Sequence, residues 1–221
     1  MPGEIEFFRD DSAAPSIEGF LHRPASPLAG SIVLTHGAGA NCQSKLLVSM
    51  ATAFADAGFT VLRCNLPFRQ ERPTGPPSPG SASRDREGLA RAVALLKHIS
   101  SGPIYMGGHS YGGRQASMLA AEDPHLVAAL LLFSYPLHPP RRPTQLRTAH
   151  LPQLRTPAMF VHGSRDPFGS LEEMQSAVAL IPARTLLIPV DRAGHELLGK
   201  SSAGELPKTV VKTFVDFVSA A

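Results

Sequence analysis

Five consecutive residues, Gly108-His109-Ser110-Tyr111-Gly112, have the types and spacing that could do chemistry. They spell G-x-S-x-G, the pattern of a serine held on a tight strand-to-helix turn with its hydroxyl exposed. Ile104, Tyr105 and Met106 before it read as a short buried strand, and Gln115 to Ala121 after it as a helix. The glycines answer a steric need, because side chains two residues either side of the serine would collide where strand and helix converge. Alone the pattern is weakly specific, since a serine between glycines also makes an ordinary tight turn. Its partners decide what it means.

A serine hydroxyl is a poor nucleophile at neutral pH and needs a base to take its proton during attack. A histidine does this and returns the proton to the leaving group, while a buried carboxylate fixes its tautomer and stabilises the imidazolium. Asp166, in Arg165-Asp166-Pro167-Phe168-Gly169, and His195, in Ala193-Gly194-His195-Glu196, are the candidates for acid and base. The chain order Ser110, Asp166, His195 is nucleophile, acid, base. Asp191 is a rival acid four residues before His195, but it shares the histidine's loop, whereas Asp166 begins a strand-end turn. Glu196 would have to fold back sharply to serve. His36 and His162 follow strands and read as residues that hold loops, and His109 flanks the nucleophile, where it could tune the site.

Attack on an acyl group develops an oxyanion, which needs preorganised N–H donors. Tyr111 offers one at the start of a helix whose dipole favours negative charge. The turn His36-Gly37-Ala38-Gly39 offers the other, first from the Ala38 N–H and next from Gly39. His36, Gly39 and Arg69 are candidate substrate contacts. Arg63, Arg69 and Arg72 could form a wall favouring a carboxylate-bearing substrate, although a solvated basic loop accounts for them more simply.

These residues must be positioned by regular elements. Ile5–Phe8 and Ile17–His22 read as a hairpin; Ser31–Thr35, Phe59–Cys64, Val127–Phe133, Ala158–His162 and Arg184–Ile188 read as further strands. Apolar residues at helical spacing mark Leu46–Ala57, Arg84–Ile99, Leu171–Ala179 and Leu206–Val218. Arg23 to Gly30 is a proline-containing connector. Strands alternating with helices imply an α/β fold, a mainly parallel sheet with helices on both faces. Such a sheet places its site outside the carboxyl ends of its strands, where Ser110, Asp166 and His195 all fall. The proline-rich stretches Leu66–Ser83 and Ser134–Pro157 read as loops, the second too short and too broken to form a cap domain. An open, shallow site bordered by these two loops is expected.

Composition narrows the class. At 221 residues, with 43% hydrophobic and 18% charged residues, the chain fits one globular domain over 1–221. A formal charge of +3 with no Lys/Arg block gives no case for nucleic acid. The longest apolar run, Leu126–Phe133, is too short to cross a bilayer, and the start M-P-G-E-I-E-F-F-R-D-D lacks the basic and apolar regions of a leader. A cytoplasmic protein without a membrane partner is expected. Cys42 and Cys64 stand in no CxxC motif and imply neither a disulfide framework nor a zinc site. The glycines do not form G-x-G-x-x-G after the first parallel strand, and no H-E-x-x-H occurs, so neither cofactor nor metal is expected.

Taken in order, H-G-A-G-A, G-G-H-S-Y-G-G-R, F-V-H-G-S-R-D-P-F-G and A-G-H-E resemble the α/β-hydrolase superfamily over roughly residues 30 to 218. The stretch Leu132 to Asp166 resembles, more narrowly, a small uncapped branch near the dienelactone-hydrolase-like proteins. That branch includes an animal testis-expressed hydrolase-like protein and a related subunit of a chromatin-acetylating complex. The resemblance implies Ser110 as nucleophile, Asp166 as acid and His195 as base. Dienelactone hydrolases proper use cysteine at the elbow, and Ser110 departs from that. The expected activity is hydrolysis of a small carboxylic ester or thioester through an acyl-enzyme. The alternative is a catalytically silent module of the same fold that binds a protein partner.

Overall fold

Successive side chains of a strand point to opposite faces, so an uninterrupted apolar strand needs a helical layer on each side. The computed structural model describes residues 3–26, 29–199 and 204–220; Met1, Pro2 and positions 27 and 28 of the Arg23–Gly30 connector lie outside them. Eight strands form one sheet: β1 (Glu4–Asp10), β2 (Ile17–Arg23), β3 (Ser31–Thr35), β4 (Thr60–Cys64), β5 (Ile104–His109), β6 (Ala129–Phe133), β7 (Ala158–Gly163) and β8 (Thr185–Val190), in the order β1-β2-β4-β3-β5-β6-β7-β8. The hairpin β1–β2 is antiparallel and joins β4 antiparallel; every later pair is parallel.

The helices are α1 (Lys45–Asp56), α2 (Pro67–Glu71), α3 (Ala82–Ile99), α4 (Tyr111–Glu122), α5 (Leu171–Val178) and α6 (Glu205–Ser219). On one face Leu47, Met50 and Phe54 of α1 and Phe214 of α6 pack with Ile32, Leu34, Leu131 and Phe133. On the other, residues of α3, α4 and α5 pack with Val33, Met106, Leu130 and Leu132. The alternation Ile32/Leu34 against Val33, repeated as Leu131/Phe133 against Leu130/Leu132, divides the core into these two layers.

Two elements differ from the sequence expectation. The Leu66–Ser83 stretch opens with the five-residue α2, because Pro67 at a helix's first position gives up an N–H that has no partner there. Helix α4 starts at Tyr111, four residues before Gln115, since packing at the turn outweighs the poor helix propensity of Gly112 and Gly113. The Ser134–Pro157 stretch contains one short helical turn, Leu151–Gln153, and no cap domain.

Candidate active site

Strand β5 and helix α4 meet at Ser110, whose φ of 52° and ψ of −116° lie in a region that side chains rarely adopt. Such a conformation costs about 1–3 kcal/mol and persists only where neighbours enforce it. Here the Ser110 N–H donates to the Phe133 carbonyl at 2.8 Å, and the glycines let the backbones close in. A Cβ on Gly108 would lie 2.6 Å from the Thr35 carbonyl oxygen and 3.1 Å from the Gly112 carbonyl carbon, and one on Gly112 would lie 2.5 Å from the His36 carbonyl oxygen. The spacing of the motif is therefore a packing requirement of the turn.

Asp166 follows β7 and His195 follows β8, so three separate strand ends converge. His195 Nε2 lies 2.9 Å from Ser110 Oγ, and His195 Nδ1 lies 2.8 and 3.0 Å from the two carboxylate oxygens of Asp166. Burial alone would push the Asp166 carboxyl up. Hydrogen bonding and charge from His195, with the Phe168 N–H at 2.9 Å and the nearby His162, outweigh burial and hold it below the ordinary value. The His195 ring contacts both Phe168, with centroids 4.2 Å apart, and His109, at 4.9 Å. His109 Nε2 donates to the His195 carbonyl at 2.9 Å, which ties the histidine loop to the residue before Ser110. Burial, partly offset by that bond, lowers the His109 pKa and favours its neutral form.

The rival acids lie elsewhere. Asp191 is 80% exposed and pairs with Arg192. Glu196 lines the cleft but makes no contact with the His195 ring nitrogens, both of which are engaged by Asp166 and Ser110. His162 Nε2 donates to the Gly169 carbonyl at 2.9 Å and holds the acid's turn.

Ser110 and His195 open onto a cleft of about 660 Å³ lined also by Gly37, Ala38, Gly39 and Tyr111. Ala38 and Tyr111 line this cleft, and neither backbone N–H donates to another group of the described residues. Pro76 and Pro77 come from the loop after α2, and Pro136 and Arg147 from the 134–157 stretch, so both proline-rich loops form its walls. A groove of about 770 Å³ between α1 and α6 has no histidine among its described lining residues.

Two of the candidate substrate contacts lie outside the cleft lining. His36 is fully buried and spends both ring nitrogens, donating from Nδ1 to the Gly37 carbonyl and accepting the Leu66 N–H on Nε2. Arg69 is also buried; it donates to the carbonyls of Ala38, Ala40, Arg72 and Gly75, and so clamps the Gly37–Ala40 turn from behind. Of the three candidates only Gly39 reaches the cleft. Arg63 bonds to His22 of β2 and to the Cys42 carbonyl, Arg72 bonds to Ser78, and neither arginine lines the cleft. Polar strand-end residues can serve a site by holding its backbone, and their type does not distinguish that from touching a ligand.

The cleft's own arginines, Arg114 and Arg147, were not among the sequence candidates. Arg114 lies one helical turn after Ser110, a spacing readable in the motif; Arg147 carries no local signal. Phe168, beside His195, sits in the same turn as Asp166. Among the described residues, no cluster of three or more His, Cys, Asp or Glu could hold a metal ion, and no helix is long and apolar enough to cross a membrane.

Comparison with solved structures gives the same architecture. The dienelactone hydrolase of Anabaena variabilis superposes with a TM-score of 0.76 at 19% identity, covering 100% of this chain and 99% of that one. An alpha-beta serine hydrolase homologue from Coxiella burnetii gives 0.76 at 19% over 94% and 96% of the two chains. Est1E from Butyrivibrio proteoclasticus gives 0.76 at 14% over 96% and 99%. At these identities the likeness is one of fold. Residues 29–221 match the family model described as an alpha/beta hydrolase domain, and the chain belongs to that family.

Proposed function

We propose that the protein is a serine hydrolase that cleaves a small carboxylic ester or thioester through an acyl-enzyme. The observation that carries this reading is the unbroken hydrogen-bonded line from Asp166 through His195 to Ser110, 2.8 and 2.9 Å at its two joints, opening on a cleft. In this reading Ser110 Oγ bonds to the substrate carbonyl carbon as its proton passes to His195 Nε2. The carbonyl π electrons move to oxygen, and the N–H groups of Tyr111 and Ala38 hold the oxyanion. When the tetrahedral intermediate collapses, the bond to the leaving group breaks and that group takes the proton from Nε2. Water then attacks the acyl-enzyme with His195 again as base, releasing the acid and restoring Ser110.

Asp166 holds the Nδ1 proton and stabilises the imidazolium in both halves of the cycle. A cleft of about 660 Å³ without a cap suits a small or extended polar acyl substrate. Two structural neighbours carry the names dienelactone hydrolase and serine hydrolase homologue, which supports hydrolysis as the reaction class. The reading treats residues 1–221 as one hydrolase domain working in the cytosol, where the free thiols Cys42 and Cys64 would persist.

The test is intact-mass labelling with a fluorophosphonate, on wild type beside Ser110→Ala, with far-UV circular dichroism on both. One adduct on wild type and none on the folded variant is expected. No adduct on either folded protein would reject the reading and leave the fold as a module that binds a protein partner.

A further inference from the structure

Arg114, in the first turn of α4, and Arg147, in the 134–157 stretch, both line the cleft of Ser110 and His195. Neither has an acidic partner among the described residues. Among the described residues the arginine ion pairs involve Arg9, Arg23, Arg84, Arg86, Arg91 and Arg192. Glu196, the acidic residue of the cleft wall, is in none of these pairs. Arg114 Nε is buried and has no hydrogen-bond partner among the described residues.

Arg147 is held in place rather than loosely exposed. Its N–H donates to the Leu137 carbonyl at 2.8 Å, and its own carbonyl accepts the Tyr135 hydroxyl at 2.7 Å. Its Nη1 donates to the Pro136 carbonyl at 3.2 Å, leaving the rest of the guanidinium without a partner among the described residues. Burial first, and then the charge of Arg114, lower its pKa, so the two cations feel each other.

Two partly desolvated like charges with no counter-charge repel, and buried charges are ordinarily paired. An anion between them removes that cost. Guanidinium forks match a carboxylate with two parallel N–H donors, and such charge-assisted bonds are about twice as strong as neutral ones. The remaining walls near Ser110 include Pro76, Pro77, Pro136 and Phe168, which offer apolar surface to a short hydrocarbon stem.

We infer that Arg114 and Arg147 form a carboxylate subsite, and that the substrate is a small ester or thioester bearing a free carboxylate. The substrate assignment rests on the hydrolytic reading; the subsite does not.

The test compares monophenyl adipate with phenyl hexanoate, which places the charge on the acyl side. It also compares 3-carboxyphenyl butyrate with phenyl butyrate, which places it on the leaving group. Wild type should favour the anionic member of one pair by at least about tenfold in kcat/KM, with the preference shrinking as salt rises. The preference should fall to near unity in the R114Q/R147Q double variant and partly survive in R114K/R147K. Equal turnover of both members of both pairs, or a preference that survives the glutamine pair, overturns the subsite. If the double variant does not fold, R114Q and R147Q singly decide, each expected to cut the preference about threefold or more.

Calorimetric titration of both anionic esters into Ser110→Ala separates the two readings. Should wild type cleave no ester, binding that disappears on adding R114Q/R147Q keeps the subsite and removes the hydrolytic reading. Absent binding, or binding indifferent to the arginines, overturns the subsite.

Discussion

At Asp166, burial and hydrogen bonding act in opposite directions, and the bonds from His195 and the Phe168 N–H prevail. A carboxyl whose folded pKa lies below its unfolded value adds stability that is fully present above the unfolded value. That stability is lost as pH falls from the carboxylate range through the lower folded value. Replacing Asp166 by Asn removes the negative charge and reverses the tautomer preference at Nδ1, so kcat for ester hydrolysis should fall about 10³- to 10⁴-fold with the fold retained. Steady-state kinetics with a matched circular dichroism spectrum checks this. A loss under tenfold would mean that Asp166 does not orient the base.

The element scale governs the elbow and the turn opposite it. Gly112→Ala puts a Cβ 2.5 Å from the His36 carbonyl oxygen and 2.6 Å from the Thr35 methyl carbon, at the junction of β3 and α4. Backbone there cannot give way cheaply, and a destabilisation of about 1–3 kcal/mol is expected, read from the urea midpoint. Gly39→Ala meets no atom within 4 Å and should leave that midpoint unchanged within error. Equal effects of the two substitutions would mean that the convergence of strand and helix does not impose the glycine spacing. Arg69 acts at the same scale: four backbone carbonyls from two segments share its guanidinium, so the Gly37–Ala40 turn is held by a residue outside the cleft.

For the molecule as a whole, buried neutral histidines set the acid side of stability. Burial lowers His22, His36 and His150 each to about 4, with Arg63, Arg69 and Arg114 respectively adding to the effect by their charge. Unfolded histidines take up protons near pH 6.5, before these folded ones do, so the unfolded state binds more protons between pH 6.5 and about 4. Stability should be fully present above pH 6.5 and decline steadily as pH falls to about 4, before most carboxylates titrate. One pKa unit is about 1.4 kcal/mol, so three falls from 6.5 to about 4 set an upper bound of about 10 kcal/mol on the combined loss, and solvent screening at the less buried His22 and His150 brings it to several kcal/mol. Urea unfolding at a series of pH values measures it. A midpoint constant from pH 7 to 4.5 would show that these rings are not held neutral.

The alternation of strand and helix, the parallel sheet and the G-x-S-x-G turn were all legible in the sequence, because each follows from local apolar period and from the steric demand of one turn. Ser110, Asp166 and His195 were legible as strand-end residues in the right order, and Asp166 could be preferred over Asp191 from its turn alone. Their meeting at 2.8 and 2.9 Å depends on the order of β5, β7 and β8 in the sheet, a long-range relation that no local pattern contains. For the arginines the outcome was different. Arg63, Arg69 and Arg72 look like a basic wall in sequence, yet folding spends them on loop carbonyls, Cys42, His22 and Ser78, while Arg114 and Arg147 reach the cleft. A long cationic side chain serves either role equally well, and only the position of its backbone in three dimensions decides whether its donors meet loop carbonyls or a ligand.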